Sequence, residues 1–347
     1  MTDRSTWTPL HARLHRTLRS RHLLKRQQRI LVAVSGGQDS LCLIKLLLDL
    51  QPKWEWQLGI AHCDHRWRSD SQANANYVQQ LAKTWETPFY CQTAEQSLPS
   101  EAAARQWRYQ ALSAIAQANG YTCIVTGHTA SDRAETLLYN LIRGSGADGL
   151  QALSWKRPLD SQLLLVRPLL EVTRAETAKF CQSMQLQVWE DATNQDLNYA
   201  RNRIRQELIP YMHRLNPQIE STLAQTAELL QAEVEYLEQA ASQLCHQATP
   251  NHSEFKIQNS ELTTGHSPLA TNCFPPIDRR VLQTAPLALQ RRAIRQVLQQ
   301  ILPYTPSFAH IEKLVALITA ANGTQTDPFP GGAIAYVDKD WICLKHD

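Results

Sequence analysis

A short segment rich in serine and glycine is the first place where this sequence could do chemistry. It reads Ser35-Gly36-Gly37-Gln38-Asp39-Ser40 and lies between an apolar run predicted as a strand and a pattern predicted as a helix. Two glycines allow a tight turn close to a ligand, and the free N–H groups that begin a helix favour an anion. The lysine-containing Walker A motif is absent, so the pattern predicts a phosphate cradle of another kind.

Asp39 is the unexpected member of this segment, because a carboxylate repels phosphates unless a cation lies between them. A plain strand–helix turn rarely combines two glycines, flanking serines and an acid. We therefore expect Asp39 to bind Mg²⁺ and the metal to bridge it to pyrophosphate oxygens of a nucleotide.

A second candidate follows the next predicted strand and reads His62-Cys63-Asp64-His65-Arg66. Residues two apart on a strand share a face, whereas adjacent residues point to opposite faces, so these side chains cannot all converge on one metal ion. Nucleotide contacts or hydrogen bonds at the strand end are favoured over metal ligation.

Charged residues also lie on two predicted helices. Glu101, Arg105 and Arg108 share one helix face, and their spacing fits either a surface salt-bridge ladder or an arginine pair aimed at a cleft. His128 and Asp132 follow the fourth predicted strand. Asp132 is interpreted as a general base, a Mg²⁺ ligand or a partner of the helix dipole, and its spacing leaves all three open.

Strand and helix patterns alternate through the first two hundred residues. Strands are predicted at 30–34, 58–62, 88–91 and 122–126, and helices at 41–50, 72–85, 101–118 and 130–143. This order predicts an α/β fold, a parallel sheet with helices on both faces, whose ligands bind beyond the carboxyl ends of the strands. The glycine spacing at 144–149 resembles a dinucleotide-binding motif, but it follows a helix and is predicted to be a helix end and loop.

The pattern changes near residue 217, which predicts two domains, 1–217 and a smaller, mainly helical 218–347. The second would contain a long helix at 218–246, a linker at 247–276, helices at 286–301 and 307–320, and a terminal hairpin at 333–337 and 341–344.

Composition excludes several classes of protein. The chain has 347 residues, 43% of them hydrophobic and 19% charged, and this composition excludes disorder, collagen and coiled coil. Its net charge of only +3 does not by itself demand a nucleic-acid partner. No apolar run is long enough for a membrane span. Eight cysteines without a C-x-x-C pair argue against a zinc ribbon or redox dithiol and fit a reducing cytoplasm. The basic N-terminus resembles a transit peptide, but an amphipathic surface helix is favoured.

Positive charge is clustered in three places, which fits either solvated helix faces or a polyanionic partner. The clusters are the basic N-terminal segment 1–30, the arginines at 201, 203 and 205, and those at 279, 280, 291, 292 and 295.

In the order of its motifs, the chain resembles the N-type ATP pyrophosphatases of the PP-loop superfamily, whose signature is S-G-G-x-D-S, and more closely the tRNA(Ile)-lysidine synthetases. The matching blocks are SGGQDS at 35–40, H-x-x-H-x-x-R at 62–68, EAAARQWRY at 101–109, GHTASDRAETLLYNLIRGSG at 127–146, RPLL at 167–170, and a run from 191–194 through 201–205 to Pro210. Three positions depart from the family pattern: Gly127, where alanine is commoner, Ser131, where a second aspartate is usual, and Asp64, where asparagine is usual.

The resemblance implies an adenine nucleotide α-hydrolase-like fold and a specific reaction. ATP would adenylate the C2 oxygen of the wobble cytidine in an isoleucine tRNA with a CAU anticodon, and the ε-amine of free lysine would then displace AMP. The product would be lysidine, with AMP and pyrophosphate released.

The resemblance also implies roles for the candidate residues. The segment 35–40 would hold ATP, Asp39 would bind Mg²⁺, and Asp132 would take a proton from the lysine ammonium. Arg105 and Arg108 would position the lysine carboxylate or a phosphate, with His128 as a secondary candidate. The basic N-terminus, residues 201–205 and the second domain would grip the tRNA.

Two rival functions are distinguished from this one. A tRNA thiolase of the same superfamily typically needs paired or cleft-facing cysteines, and the sequence has no C-x-x-C. A non-catalytic ATP-dependent RNA-binding protein would need neither Asp39 nor Asp132. The sequence leaves the oligomeric state open, a homodimer included.

Overall fold

The structure, a computed structural model, describes residues 7–66, 70–96, 99–189, 196–249 and 275–346. Residues 68 and 191–194 of the motif blocks, and most of the predicted linker, lie outside these ranges. Contacts divide the chain into two compact units, Met1–Gln231 and Ala232–Asp347. This division falls inside one long helix, later in the chain than the predicted boundary at 217, which stays a prediction.

The first unit alternates strands and helices, as predicted. Its strands are β1 (Arg29–Ala33), β2 (Gln57–Asp64), β3 (Phe89–Thr93), β4 (Cys123–Thr126), β5 (Lys156–Pro158) and β6 (Leu164–Val166). Its helices are α1 (Pro9–Ser20), α2 (Gln38–Trp54), α3 (Ser71–Thr84), α4 (Glu101–Ala118), α5 (Ala130–Ile142), α6 (Ala147–Leu150), α7 (Arg174–Ser183), α8 (Ala200–Arg203) and α9 (Ile209–Leu215), with a π-helical turn at Ile204–Leu208. The start of α10 (Ile219–Ala248) completes it.

The sheet of the first unit has the strand order β3-β2-β1-β4-β6-β5. Strands β1 to β4 and β6 are parallel, whereas β5 is antiparallel to β6 at the edge. The strand order reverses between β1 and β4, and the carboxyl ends of strands open a ligand crevice at such a point. The four predicted strands and helices are confirmed, but β5, β6 and α7 were not predicted, and the predicted loop at 144–149 contains the short helix α6.

Helices cover both faces of this sheet, as predicted. Side chains alternate along β1, so that Ile30 and Val32 pack with α1 and α2 in one core, whereas Leu31 packs with Leu112 of α4 in the other. The continuous apolar composition of β1 follows from this burial on both faces.

The second unit is smaller. It contains the rest of α10, then β7 (Ile277–Asp278), α11 (Arg279–Gln283), α12 (Leu287–Ile301), α13 (Phe308–Leu317), β8 (Ala333–Asp338) and β9 (Trp341–His346). The predicted hairpin is confirmed, and β7 adds a third strand in the order β7-β9-β8. One core joins these helices and strands, with Ile294 and Leu298 of α12 fully buried in it. In the described part of the chain, no helix is long and apolar enough to cross a membrane.

Candidate active site

The segment between β1 and α2 forms a compact loop held by its own serines. Ser40 Oγ accepts a hydrogen bond from Ser35 N (3.1 Å) and donates one to Gly37 O (2.9 Å). Gly37 is the N-cap of α2 and makes no side-chain cap hydrogen bond, so the first N–H groups of α2 face the crevice without a side-chain cap. A helix start of this kind is suited to an anion such as a phosphate.

Two glycines in the crevice are required by close approach. Gly36 has φ +87°, and a Cβ there would lie 2.2 Å from Asn74 Oδ1 of α3. A Cβ at Gly127, after β4, would lie 2.8 Å from the backbone oxygen of Asp39. The turn after β4 therefore touches the backbone of the loop, and the departure from alanine at Gly127 fits this contact.

Three helices begin at this crevice: α2, α5 and α7. Ala130 N at the start of α5 donates to Val172 O (2.8 Å), and Arg174 N at the start of α7 donates to Ser131 Oγ (3.0 Å). Gln38 Nε2 of α2 donates to Arg174 O (2.8 Å). The positive ends of three helix dipoles thus converge on one place, which adds to its affinity for anions.

Arg174 connects the acidic residues of the site. Its Nη2 donates to Asp132 Oδ1 (2.7 Å), its Nη1 to Glu135 Oε1 (2.7 Å), and its Nε to Asp39 Oδ2 at a longer 3.4 Å. Asp39 also accepts a hydrogen bond from the Thr177 hydroxyl of α7. The guanidinium therefore lies between Asp39, for which the sequence predicted a Mg²⁺ ion, and Asp132, for which Mg²⁺ binding was one of the open roles.

The two aspartates have opposite pKa shifts. Burial raises the pKa of Asp39, the Asp132 carboxylate raises it further, and the Arg174 guanidinium opposes both. Burial would also raise the pKa of Asp132, but the Arg174 guanidinium and the hydrogen bonds from Thr129 outweigh it and lower this pKa. Asp132 is therefore ionised at neutral pH, and it forms the capping box of α5 with Thr129.

Glu135 is buried and is held by a second arginine from the π-helical turn. Arg205 donates from Nε to Glu135 Oε1 (2.7 Å) and from Nη2 to Oε2 (2.9 Å). Turns of this kind are frequent at functional sites. The sequence placed Arg205 in a cluster that would grip tRNA, whereas in the structure this side chain binds an acid of the crevice.

Arg105 and Arg108 do not form the salt-bridge ladder that their spacing allowed. Glu101 pairs instead with Arg201 at 3.4 Å, and Arg105 lies over the ring of Tyr109 at 5.2 Å. Burial lowers the pKa of His128, and the positive charges of Arg167, Arg105 and Arg108 lower it further. His128 is therefore neutral, and it shares a 2.9 Å hydrogen bond with Thr126 Oγ1.

The block 62–66, which forms the end of β2 and the residues after it, is not arranged as a metal site. His62 is buried, and its Nδ1 is 2.8 Å from Val34 O, so it donates to the end of β1. Asp64 accepts from Arg66 N at 2.8 Å. These are the strand-end hydrogen bonds favoured by the sequence. Within the described ranges, no group of three or more His, Cys, Asp or Glu residues could hold a metal ion.

A Mg²⁺ site does not require three protein ligands, because Mg²⁺ is usually bound by one or two carboxylates together with waters and substrate phosphates. Three carboxylates here, from Asp39, Asp132 and Glu135, share the guanidinium groups of Arg174 and Arg205. The surplus negative charge suits a further cation. The long contact of 3.4 Å leaves Asp39 Oδ2 the more available of the paired oxygens, so Asp39 fits a Mg²⁺ ion that arrives with a nucleotide.

Sequence reasoning missed Arg174 and Thr177. Their helix, α7, has few apolar residues, so its periodicity is weak. A signal was present, because Thr173 and Glu176 have the spacing of a capping box, and both of its hydrogen bonds form in the structure.

Comparisons with known proteins agree with this geometry. Residues 8–212 match the family model of a PP-loop domain, and residues 278–336 match the TilS substrate binding domain. A tRNA(Ile)-lysidine synthase of Nostoc sp. is 65% identical over 341 residues, which cover 98% of both chains. This chain belongs to the tRNA(Ile)-lysidine synthase family.

Other members of the tRNA(Ile)-lysidine synthase family are also similar over most of the chain. A Synechocystis sp. member is 49% identical over 97% of both chains, and the chloroplastic member of Zygnema circumcarinatum is 36% identical over 90% of this chain and 81% of its own. Among solved structures, the U34-tRNA thiolase NcsA of Methanococcus maripaludis superposes with a TM-score of 0.55 at 15% identity. It covers 64% of this chain and 77% of its own, and it shows a shared fold only.

Proposed function

We propose that this chain joins lysine to C2 of the wobble cytidine of an isoleucine tRNA with a CAU anticodon, converting ATP to AMP and pyrophosphate. The observation that carries the proposal is similarity over almost the full chain to relatives named tRNA(Ile)-lysidine synthase. The geometry supports it, because the nucleotide loop (residues 35–40) and the acidic cluster (Asp39, Asp132 and Glu135) meet at one crevice. The setting would be the cytoplasm, the substrates free lysine and the tRNA.

In the first step, the C2 oxygen of the cytidine attacks the α-phosphate of ATP and pyrophosphate leaves. The N–H groups that begin α2 and the hydroxyls of Ser35 and Ser40 would hold phosphate oxygens. Asp39 would hold Mg²⁺, which neutralises phosphate charge when bound. For this, Arg174 must give up its long contact with Asp39, while its short contact with Glu135 keeps it in the crevice.

In the second step, the ε-amine of lysine attacks C2, AMP leaves, and the ammonium proton must go to a base. Asp132 is ionised, which suits it to accept that proton, although Arg174 and Thr129 occupy both of its oxygens in the structure. Arg105 and Arg108 would bind the lysine carboxylate or a phosphate, because neither is neutralised by a carboxylate among the described residues. The neutral His128 would act as a hydrogen-bond partner.

The test is one ligation assay run in parallel on two tRNAs. Purified protein is given ATP, Mg²⁺ and labelled lysine, together with either an unmodified tRNA that has a CAU anticodon or the same tRNA with a different wobble base. We expect AMP and pyrophosphate as products, and label in the first tRNA only, because amine attack on an activated base requires both partners in one crevice.

Other products would assign a different function. ADP would contradict the pyrophosphatase chemistry. Sulfur incorporation without lysine would indicate a thiolase, although each cysteine in the described ranges is free of disulfides and burial raises the pKa of Cys63 and Cys181 to about 12. ATP binding without turnover on any tRNA would indicate a non-catalytic RNA-binding protein.

A further inference from the structure

A basic groove lies in the first unit, away from the crevice described above. It has a volume of about 1100 Å³ and is formed by the second half of α1, the connection from α1 to β1 and the end of α2. Among the residues that the structure describes, no aspartate or glutamate lines it. Its cationic side chains are Arg16, Arg19, Lys25, Arg26 and Lys53, all of them exposed.

Within the described part of the chain, most of this positive charge is not neutralised. Arg26 pairs with Glu55, but no described carboxylate forms an ion pair with the other four cations. The arginines of the second unit differ in this respect. Arg291 pairs with Glu312, and both Arg292 and Arg295 pair with Glu238. The groove therefore has available positive charge that these arginines of the second unit lack, and a polyanion is the complementary ligand.

Two aromatic side chains lie close to Lys53. The pKa of His15, in the groove wall, is lowered by burial and then by the positive charges of Lys53 and Arg19, so both cations lie near the same wall of the groove. Trp7 is 49% exposed, and its ring centre is 5.7 Å from Lys53 Nζ. The Trp7 ring also stacks on His11, with ring centres 5.4 Å apart, and its cation–π contact holds Lys53 at the edge of the groove.

The groove is too far from the nucleotide loop to belong to the same site. Helix α2 begins at the loop and ends at the groove, and its 17 residues span about 25 Å. A ligand that occupies both places must be long and carry negative charge along its length, as a nucleic acid does.

We propose that this groove binds the phosphate backbone of the substrate tRNA, at a part of the molecule about 20 Å or more from the wobble base. The identity of the RNA rests on the proposed function, whereas the preference for phosphate rests on the groove alone. The groove would hold the tRNA at a second place while its anticodon lies in the crevice.

The test compares two triple variants of the full-length protein that lose the same charge. The groove variant is Arg16→Gln with Arg19→Gln and Lys53→Gln, and the control is Lys83→Gln with Lys179→Gln and Arg214→Gln, three exposed cations of the first unit outside the groove. The dissociation constant is measured across a salt series for the full-length tRNA and for its isolated anticodon stem–loop, with thermal unfolding as a check of folding.

We expect the groove variant to bind full-length tRNA about tenfold or more weakly at low salt, with the salt dependence reduced by about 0.7–0.9 per lost phosphate contact. Its affinity for the stem–loop should match that of wild type, and the control should change less than about twofold for both RNAs. Binding does not require ligation, so these results stand or fail independently of whether lysine is transferred.

Three results would overturn the proposal. One is an equal loss in both triple variants, because net charge alone would then account for it. Another is unchanged tRNA affinity and salt slope in a folded groove variant. The third is retention of tRNA binding together with loss of binding to vesicles of anionic lipid, which would assign the groove to a membrane surface.

Discussion

Asp39 joins the nucleotide loop to the acidic cluster at the scale of single residues. Its backbone lies in the first turn of α2, and its carboxylate reaches Thr177 and Arg174 of α7. Because the neighbouring Asp132 and burial both raise its pKa, Asp39 benefits more than an exposed aspartate from a bound cation.

We predict that Asp39→Asn keeps the fold but lowers the kcat/KM of Mg²⁺-dependent AMP formation by about 10²-fold or more, because a metal-mediated contact is worth several kcal/mol. A titration of activity against Mg²⁺ measures this. The control is Asp338→Asn, an exposed aspartate of β8. Near wild-type turnover at ordinary Mg²⁺ concentrations would contradict the role of Asp39.

Asp132→Asn is predicted to separate the two half-reactions. The amide oxygen can still accept hydrogen bonds from Thr129 and preserve the helix cap, but the proton acceptor is lost. Adenylation of the tRNA should continue, while transfer of lysine slows by about 10²–10⁴-fold. Single-turnover measurements of each step provide the test, and equal losses in both would favour a Mg²⁺-binding or structural role.

At the scale of elements, one carboxylate attaches the start of α10 to the catalytic unit. Glu228 accepts hydrogen bonds from Arg21 (2.6 Å), Arg133 (2.7 Å) and Trp155 (2.6 Å). Arg133 is only 1% exposed and lies on α5 next to Asp132. A buried guanidinium without its carboxylate is costly, so Glu228 stabilises the helix that carries the site.

We predict that Glu228→Ala lowers the free energy of unfolding by about 3 kcal/mol, the lower end of the range for a broken buried pair, because Glu228 itself is 32% exposed. Glu233→Ala, an exposed position on the same helix, should change it by less than about 0.5 kcal/mol. Denaturant unfolding of the two variants checks this. An equal loss of unfolding free energy in the two variants would contradict the stabilising role of the hydrogen bonds that Glu228 accepts.

At the scale of the whole molecule, the same contacts decide where the chain can be cut. A chain that ends at residue 231 keeps Glu228, whereas one that ends at 217 removes it. The longer fragment matches the first compact unit.

We predict that the fragment 1–231 binds ATP as the full chain does but binds tRNA much more weakly and with a flatter salt dependence, because the matched substrate binding domain is removed. The fragment 1–217 should unfold at lower temperature. Calorimetry and tRNA titration provide the measurements. Unchanged tRNA affinity and salt slope in the fragment 1–231 would contradict this assignment of domains.

The sequence by itself determined the features that depend on neighbouring residues. The strands and helices up to α5, the glycine loop after β1 and the acids after β4 follow from apolar periodicity and turn chemistry within short windows. Because the carboxyl ends of parallel strands lie at the same edge of a sheet, the loop at 35–40 and Asp132 were expected to lie at one edge. The order of the motifs sufficed for the family, which the comparisons confirm.

Only the tertiary structure decided which charges meet. Arg174 and Asp132 are 42 residues apart in the chain, and Arg205 and Glu135 are 70 apart, so no local pattern couples them. The structure therefore placed a guanidinium where the sequence indicated only a metal, and it turned Arg205 inward. Ion pairing depends on distance in space and on burial, and both are set by packing between elements that are remote in sequence.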